Sequence, residues 1–238
     1  MTTTSPTRPD GSVAPDETGS GRIRLTAAAL ATSAAAVVVL LSTTPWGERM
    51  DSGADEVLSY DNLLDVGDAA WPSMLVDSFA FAIIGLTFGL GVLHLARAKG
   101  RIAALVGAAL TTSGGILFAM GGAAFATVTW FITADGLPDG VGQSLADYAN
   151  DHPGHLVMPG VAGFLLTTIG ALMLSAALIR ARAVPVPAVI VYIVLTLVQF
   201  AGLPSRAMDF LQIAMMVLLI GFAAVVWRTT DAKELTRR

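Results

Sequence analysis

Six apolar stretches, each about as long as a helix needs to cross a bilayer, occupy most of this chain. They lie near 23–44, 73–96, 102–133, 155–179, 183–203 and 207–227. A hydrocarbon core of about 30 Å is covered by roughly 20 predominantly apolar residues in helical form. Inside lipid every backbone polar group must be satisfied within the protein, so such stretches can only be helices. Composition points the same way: charged residues make up 13% of the chain, against about 25% in a soluble domain. The expected fold is therefore all-α, a polytopic integral membrane bundle of six transmembrane helices over 22–228. A disordered cytoplasmic tail rich in Thr, Ser, Pro and Gly precedes it at 1–21, and a short cytoplasmic tail follows at 229–238. The first stretch, preceded by Arg22 and Arg24, also resembles a signal peptide. Its length, the polar tail before it and the lack of a small-x-small cleavage pattern after it favour a retained anchor.

Charge sets the expected orientation, because Lys and Arg concentrate on the cytoplasmic side. With both termini inside, the cytoplasmic segments hold Arg8, Arg22, Arg24, Arg97, Lys99, Arg101, Arg180, Arg182, Arg228, Lys233, Arg237 and Arg238; only Arg49 and Arg206 fall outside. The acids fall opposite, with Asp61, Asp65 and Asp68 before the second span and Asp135, Asp139, Asp147 and Asp151 after the third. Trp46, Trp71, Trp130, Tyr60, Tyr148 and Trp227 fall near the span ends, where an aromatic belt belongs.

A shift of 81 residues lays 62–101 over 143–182, matching Leu64 to Leu145, Pro72 to Pro153, Gly89 to Gly170, and Lys99 and Arg101 to Arg180 and Arg182. A third descending stretch opens similarly at Pro204. Proline suits the first helical position, where its missing N–H would lack a partner anyway. The pattern suggests a hairpin repeat, with spans two and three, four and five, and six and one as similarly oriented pairs. Chance alignment of hydrophobic helices gives the same pattern and stays open.

Lipid tails are as apolar as leucine, so helices in a bilayer associate through small residues that let backbones approach. The third stretch carries Ala103, Gly107, Thr111, Gly115, Ala119, Ala123 and Thr127 at every fourth position. Gly85 and Gly89 in the second stretch and Gly163, Thr167, Ala171 and Ser175 in the fourth offer matching surfaces. The paired glycines Gly114-Gly115 and Gly121-Gly122 lie inside a span and are assigned to packing. The third span is over-long and should tilt or project past Phe125.

Ionisable groups within a bilayer are costly and mark functional hypotheses. Asp77 and Asp209 each sit five residues past a matched proline, about 7 Å along the helix at 1.5 Å per residue. If the hairpins repeat, the two carboxylates converge at the outer end, with Met158 on the third side. Converging carboxylates repel, which favours uptake of a cation or a proton. Against this, Arg206 lies three residues before Asp209 and can hold it as a plain ion pair. A second cluster, Asp147, Asp151, His152 and His155, has the ligand types a divalent metal accepts. Those residues also fit the start of the fourth span, where acids are favoured. His94 finds no second intramembrane histidine at its depth to share a haem. Gln199 and Gln212 read as interhelical hydrogen-bond donors rather than substrate ligands.

The chain has no cysteine, which excludes disulfides and thiolate chemistry. It also lacks a P-loop, a dinucleotide fingerprint, a G-x-S-x-G elbow and an H-E-x-x-H motif. No cofactor and no nucleic-acid partner is expected; the expected partners are the bilayer and a membrane protein or a second copy. In its Ala/Val/Leu/Gly-rich spans, Thr/Pro-rich tail and six-span layout the chain resembles six-span membrane proteins of unassigned activity from high-GC Gram-positive bacteria. That resemblance implies a plasma-membrane location and carries over no site residue. Three functions follow. The foremost is a non-catalytic membrane module that assembles with partners, since no polar group marks the bundle centre. The second is a small ion or proton transporter using the outer carboxylate pair. The third is a membrane enzyme acting on lipid.

Overall fold

The computed structural model describes residues 17–43, 58–96, 100–201, 203 and 205–235. Among them every regular element is helical: α1 (Glu17–Thr43), α2 (Tyr60–Leu95), α3 (Arg101–Ile132), α4 (Val141–Asp151), α5 (Pro153–Ala181), α6 (Val186–Val198) and α7 (Ser205–Leu235). Five of these, α1, α2, α3, α5 and α7, are long and apolar enough to cross a membrane. Their outward faces are apolar as well: Phe79, Ile83, Leu86 and Leu90 form one exposed stripe along α2 at helical spacing. Contiguous exposed apolar surface of this kind is foreign to a water-soluble monomer. The architecture is that of a multi-pass membrane protein.

The fifth expected span, 183–203, is the main departure. Its helix runs only from Val186 to Val198, about 20 Å at 1.5 Å per residue. Pro185 and Pro187 set its start, and 199–201 leave the α-helix through turns, with the N–H groups of Phe200 and Ala201 bonding three residues back to Leu197 and Val198. Further differences lie at the ends. Helix α1 begins at Glu17, inside the expected tail, and α7 continues through the expected C-terminal tail to Leu235. Pro72 does not open a helix; α2 starts twelve residues earlier and runs through it. The outer segment before the fourth span is the separate helix α4 rather than a loop.

Helices α2 and α4 begin at Tyr60 and Val141, 81 residues apart, the shift read from the sequence. In the first of these segments the outer helix fuses with the span across Trp71-Pro72, whereas in the other it breaks at His152 before Pro153. The residue before a proline avoids the α region, and Gly154 in place of Ser73 weakens the second junction further. The pairing of helices departs from the repeat. The partner that α5 packs against most extensively is α3, not α6, while α2 packs on α3 and α1 packs between α2 and α7.

Helix α3 is central because it carries two small-residue faces. Gly107, Gly114 and Gly121 turn to α5: a β-carbon added at Gly107 would lie 2.9 Å from the Gly170 carbonyl oxygen, and one at Gly114 would lie 2.7 Å from the Gly163 carbonyl oxygen. Ala108, Gly115 and Gly122 turn to α2, against Gly89, Phe81 and Ala82, and Ser78. Seven residues are almost two whole turns, so each triplet makes a nearly straight stripe. The paired glycines thus serve two neighbours, one member each. The expected every-fourth ridge instead rotates by about 40° per step, which is why Gly107, Thr111, Gly115 and Ala119 are buried but Thr127 is exposed. Helix α6 is rich in Val, Ile and Leu with no glycine, and its backbone stays further from its neighbours.

Two packed regions result. One extends through the half of the bundle bearing Arg22, Arg24, Arg101, Arg180, Arg182 and Arg228, the basic end, and contains Leu30, Val37, Phe88, Val92, Leu174, Leu219 and Val226. A smaller cluster of Leu58, Leu63, Ile132 and Ala146 sits at the opposite, acidic end, where the projecting turns of α3 meet α4. The side-chain amide of Asn150 clamps it, donating to the Leu58 carbonyl and accepting from the Leu58 N–H, both at 2.8 Å.

Candidate functional site

Between the two packed regions lies a cavity of about 490 Å³. Helix α2 presents Ser73, Met74, Asp77 and Ser78, whose spacing places them on one helical face. Helix α7 presents Met208, Asp209 and Gln212, likewise one face. Leu40 and Leu41 of α1 close one side, Gly121 and Gly122 of α3 another, and Leu156, Val157, Gly160 and Val161 of α5 a third. The glycines leave space that larger residues would fill.

Asp77 and Asp209, singled out from register alone, thus line one cavity from two helices. One carboxylate oxygen of Asp77, Oδ1, is buried and has no hydrogen-bond partner among the described residues. A buried polar atom normally finds a partner, and each exception calls for an explanation. The described lining contains no Lys or Arg, while Gln212, Ser73 and Ser78 add neutral polar groups. A carboxylate oxygen removed from water without a partner, as Oδ1 of Asp77 is, is costly, and a bound cation or a proton relieves that cost. Carboxylate, amide and hydroxyl oxygens are hard ligands suited to hard cations.

Several expectations fare differently. Arg206 is exposed and not part of the lining. Met158 does not close the third side; it is 59% exposed, and its neighbours Leu156, Val157, Gly160 and Val161 take that place. Gln212 lines the cavity three residues beyond Asp209, a placement that reading α7 by faces would have found. Gln199 does bridge helices, donating to the sulfur of Met215 on α7.

The divalent-metal set Asp147, Asp151, His152 and His155 does not assemble: among the described residues no three His, Asp or Glu side chains converge on a point that could hold a metal ion. Helix α4 explains this. The His152 ring folds back to stack on Tyr148, with ring centroids 4.3 Å apart, its Nδ1 lies 3.0 Å from the Tyr148 carbonyl oxygen, and Asp147 accepts from Gln143 at 2.8 Å. The six packing residues Gly85, Gly89, Gly107, Thr111, Gly115 and Gly163 are all buried. The ion pair in which Arg24 donates from Nη2 and Nε to the one oxygen Oδ1 of Asp231, at 2.8 and 3.1 Å, joins the basic ends of α1 and α7 and carries no signal in the sequence, since 207 residues separate its partners.

No protein-family model matches the chain, and neither a curated protein nor a solved structure does.

Proposed function

We propose that this chain is a small plasma-membrane transporter whose cavity at the acidic end binds a cation, the proton included, between Asp77 and Asp209. The observation that carries this reading is the convergence of two carboxylates from α2 and α7 on one cavity, one of them with a buried, unpartnered oxygen. In the topology that goes with it the chain crosses six times with both termini in the cytoplasm and the acidic end outside. Segregation of Arg to one end and Asp to the other supports that orientation. Helix α6 makes the sixth crossing together with its flanking turns, its short reach being compatible with local thinning of the bilayer.

The reading as an assembly module without transport rested on a bundle centre free of polar groups. Thr111, Thr167, Thr168, Thr196 and Gln199 surround a cavity in mid-bundle, which weakens that ground. No motif in the sequence, and no assembled side-chain set among the described residues, supports an enzyme acting on lipid.

A hydrophobic carbodiimide tests the site directly. It partitions into apolar protein, takes the proton of a protonated carboxyl group and is then attacked by the carboxylate. Peptide mass mapping of the purified protein should find one adduct at Asp77 or Asp209, reduced by raising the pH or by the cation the site prefers. Adducts at neither aspartate, under conditions that label a control carboxyl, would remove the site.

A further inference from the structure

Two more cavities continue inward from the one lined by Asp77 and Asp209. The second, of about 60 Å³, is bounded by Phe81, Thr111, Phe118, Thr167, Thr196 and Gln199 among others. The third, of about 210 Å³, is bounded by Phe88, Ser175, Val184, Tyr192 and Val225 among others and reaches the basic end. Depth increases steadily on every helix involved: along α5 the lining passes from Leu156–Val161 through Phe164–Ala171 to Ser175–Leu178. On α7 the series runs from Met208 to Val225, about 26 Å at 1.5 Å per residue, close to the roughly 30 Å of a hydrocarbon core.

Neighbouring cavities are separated by aromatic side chains that line both. Phe118 borders the first and second and packs on Phe81 with ring centroids 5.0 Å apart. Phe88 and Tyr192, 5.8 Å apart, border the second and third.

Each cavity is also lined by one residue with a buried polar oxygen that has no hydrogen-bond partner among the described residues: Asp77 Oδ1 at the first, Thr167 Oγ1 at the second and Ser175 Oγ at the third. Helical hydroxyls usually donate back to a carbonyl one turn earlier. Thr111, Thr168 and Thr196 in the second cavity do so, at 3.2, 2.9 and 2.8 Å. Thr167 and Ser175 do not. Unpaired groups at such burial need partners, and water admitted to the adjoining, mainly apolar cavities when a proton passes would supply them.

From this series we infer that the three cavities form one proton path through the bundle, entered at Asp77 and Asp209, with the aromatic pairs as dewetting gates. The inference rests on the carboxylate site proposed above and names its cargo. Size decides for the proton. The second cavity has room for roughly four waters, fewer than a hydrated metal cation carries, and its lining has no carboxylate to balance the charge of a dehydrated one. A proton needs only a chain of hydrogen bonds. It leaves a carboxyl group at the entrance, passes from water to water past the Thr167 and Ser175 hydroxyls, and is released at the basic end; only O–H bonds form and break, and the transmembrane gradient drives the step.

The test uses the purified full chain in liposomes with a trapped pH dye and an imposed potassium diffusion potential. The expected result is potential-driven acidification that is abolished in Asp77→Asn. Thr167→Val should lower it about tenfold, the scale of one lost hydrogen bond, and Thr167→Ser should restore it. Phe118→Ala, which opens the first partition, should raise it. Carbodiimide labelling of the same preparations separates the two claims and reports whether the Thr167 and Phe118 variants keep the folded site, while thermal unfolding in detergent does so for Asp77→Asn. Labelling without proton flux, flux carried by sodium instead, or proton flux indifferent to Thr167→Val would overturn the path while the site stands. Loss of both labelling and flux in the wild-type protein would overturn both.

Discussion

At the scale of single residues, glycine identity matters where backbone meets backbone. A β-carbon at Gly163 would strike the backbone of Phe118 and lie 2.6 Å from the Gly114 carbonyl oxygen, whereas one at Gly221 would meet nothing within 4 Å. Gly163→Ala should therefore destabilise the bundle by about 1–3 kcal/mol through overpacking. Gly221→Ala should be neutral or stabilising by up to about 1 kcal/mol, because alanine favours the helix. Thermal unfolding of both variants in the same detergent checks this; equal melting would deny that α3 and α5 meet through that seam. Asn150 offers a second case. Its amide answers both polar groups of Leu58, so Asn150→Asp keeps an acceptor for the N–H but faces the carbonyl with a second acceptor. The expected loss is about 1–3 kcal/mol, the cost of a buried group left unpaired. Proteolysis between α1 and α2, faster in the variant than in the parent, would report the released clamp.

At the scale of elements, α3 organises the molecule because two straight stripes of small residues let two helices approach it at once. The stripes were legible as glycine pairs at 114–115 and 121–122, but their assignment to different neighbours was not. Sequence period says that a face is small; it does not say which helix the face meets. Helix α6 shows the converse. Its apolar run promised a full span, yet Pro185, Pro187 and the turn after Val198 limit the helix to thirteen residues. The Arg24–Asp231 pair joins α1 to α7 with side chains 36% and 43% exposed. An exposed pair of this kind is worth about 0.2–1 kcal/mol. Asp231→Asn should lower stability by that amount in dilute buffer and by less at high salt. A large, salt-independent loss would mean that the pair is effectively buried by something other than solvent.

At the scale of the whole molecule, the proposed orientation rests on the separation of charge, and single cysteines in a cysteine-free chain test it. Gly100 is a poor reporter: its φ is +89° and a β-carbon there would lie 3.1 Å from the Ala177 carbonyl oxygen. Asp139 and Arg180 are exposed at opposite ends and avoid that strain. On intact cells an impermeant thiol reagent should label Asp139→Cys and spare Arg180→Cys until the membrane is opened. The reverse pattern would invert the topology and place the carboxylate cavity on the cytoplasmic side.

The amino-acid sequence by itself determined where apolar helices form, which end of the bundle carries arginine and which residues are small enough for close approach. Transfer of a side chain to lipid, proline's missing N–H and glycine's missing β-carbon are local properties, readable one segment at a time. Tertiary structure alone decided that α5 packs on α3, that Asp77 and Asp209 open onto one cavity with Gln212 and Ser78, and that His152 stacks on Tyr148 instead of joining Asp147, Asp151 and His155 around a metal. Each of those outcomes depends on how far one helix is rotated against another, and steric fit between segments distant in sequence sets that rotation.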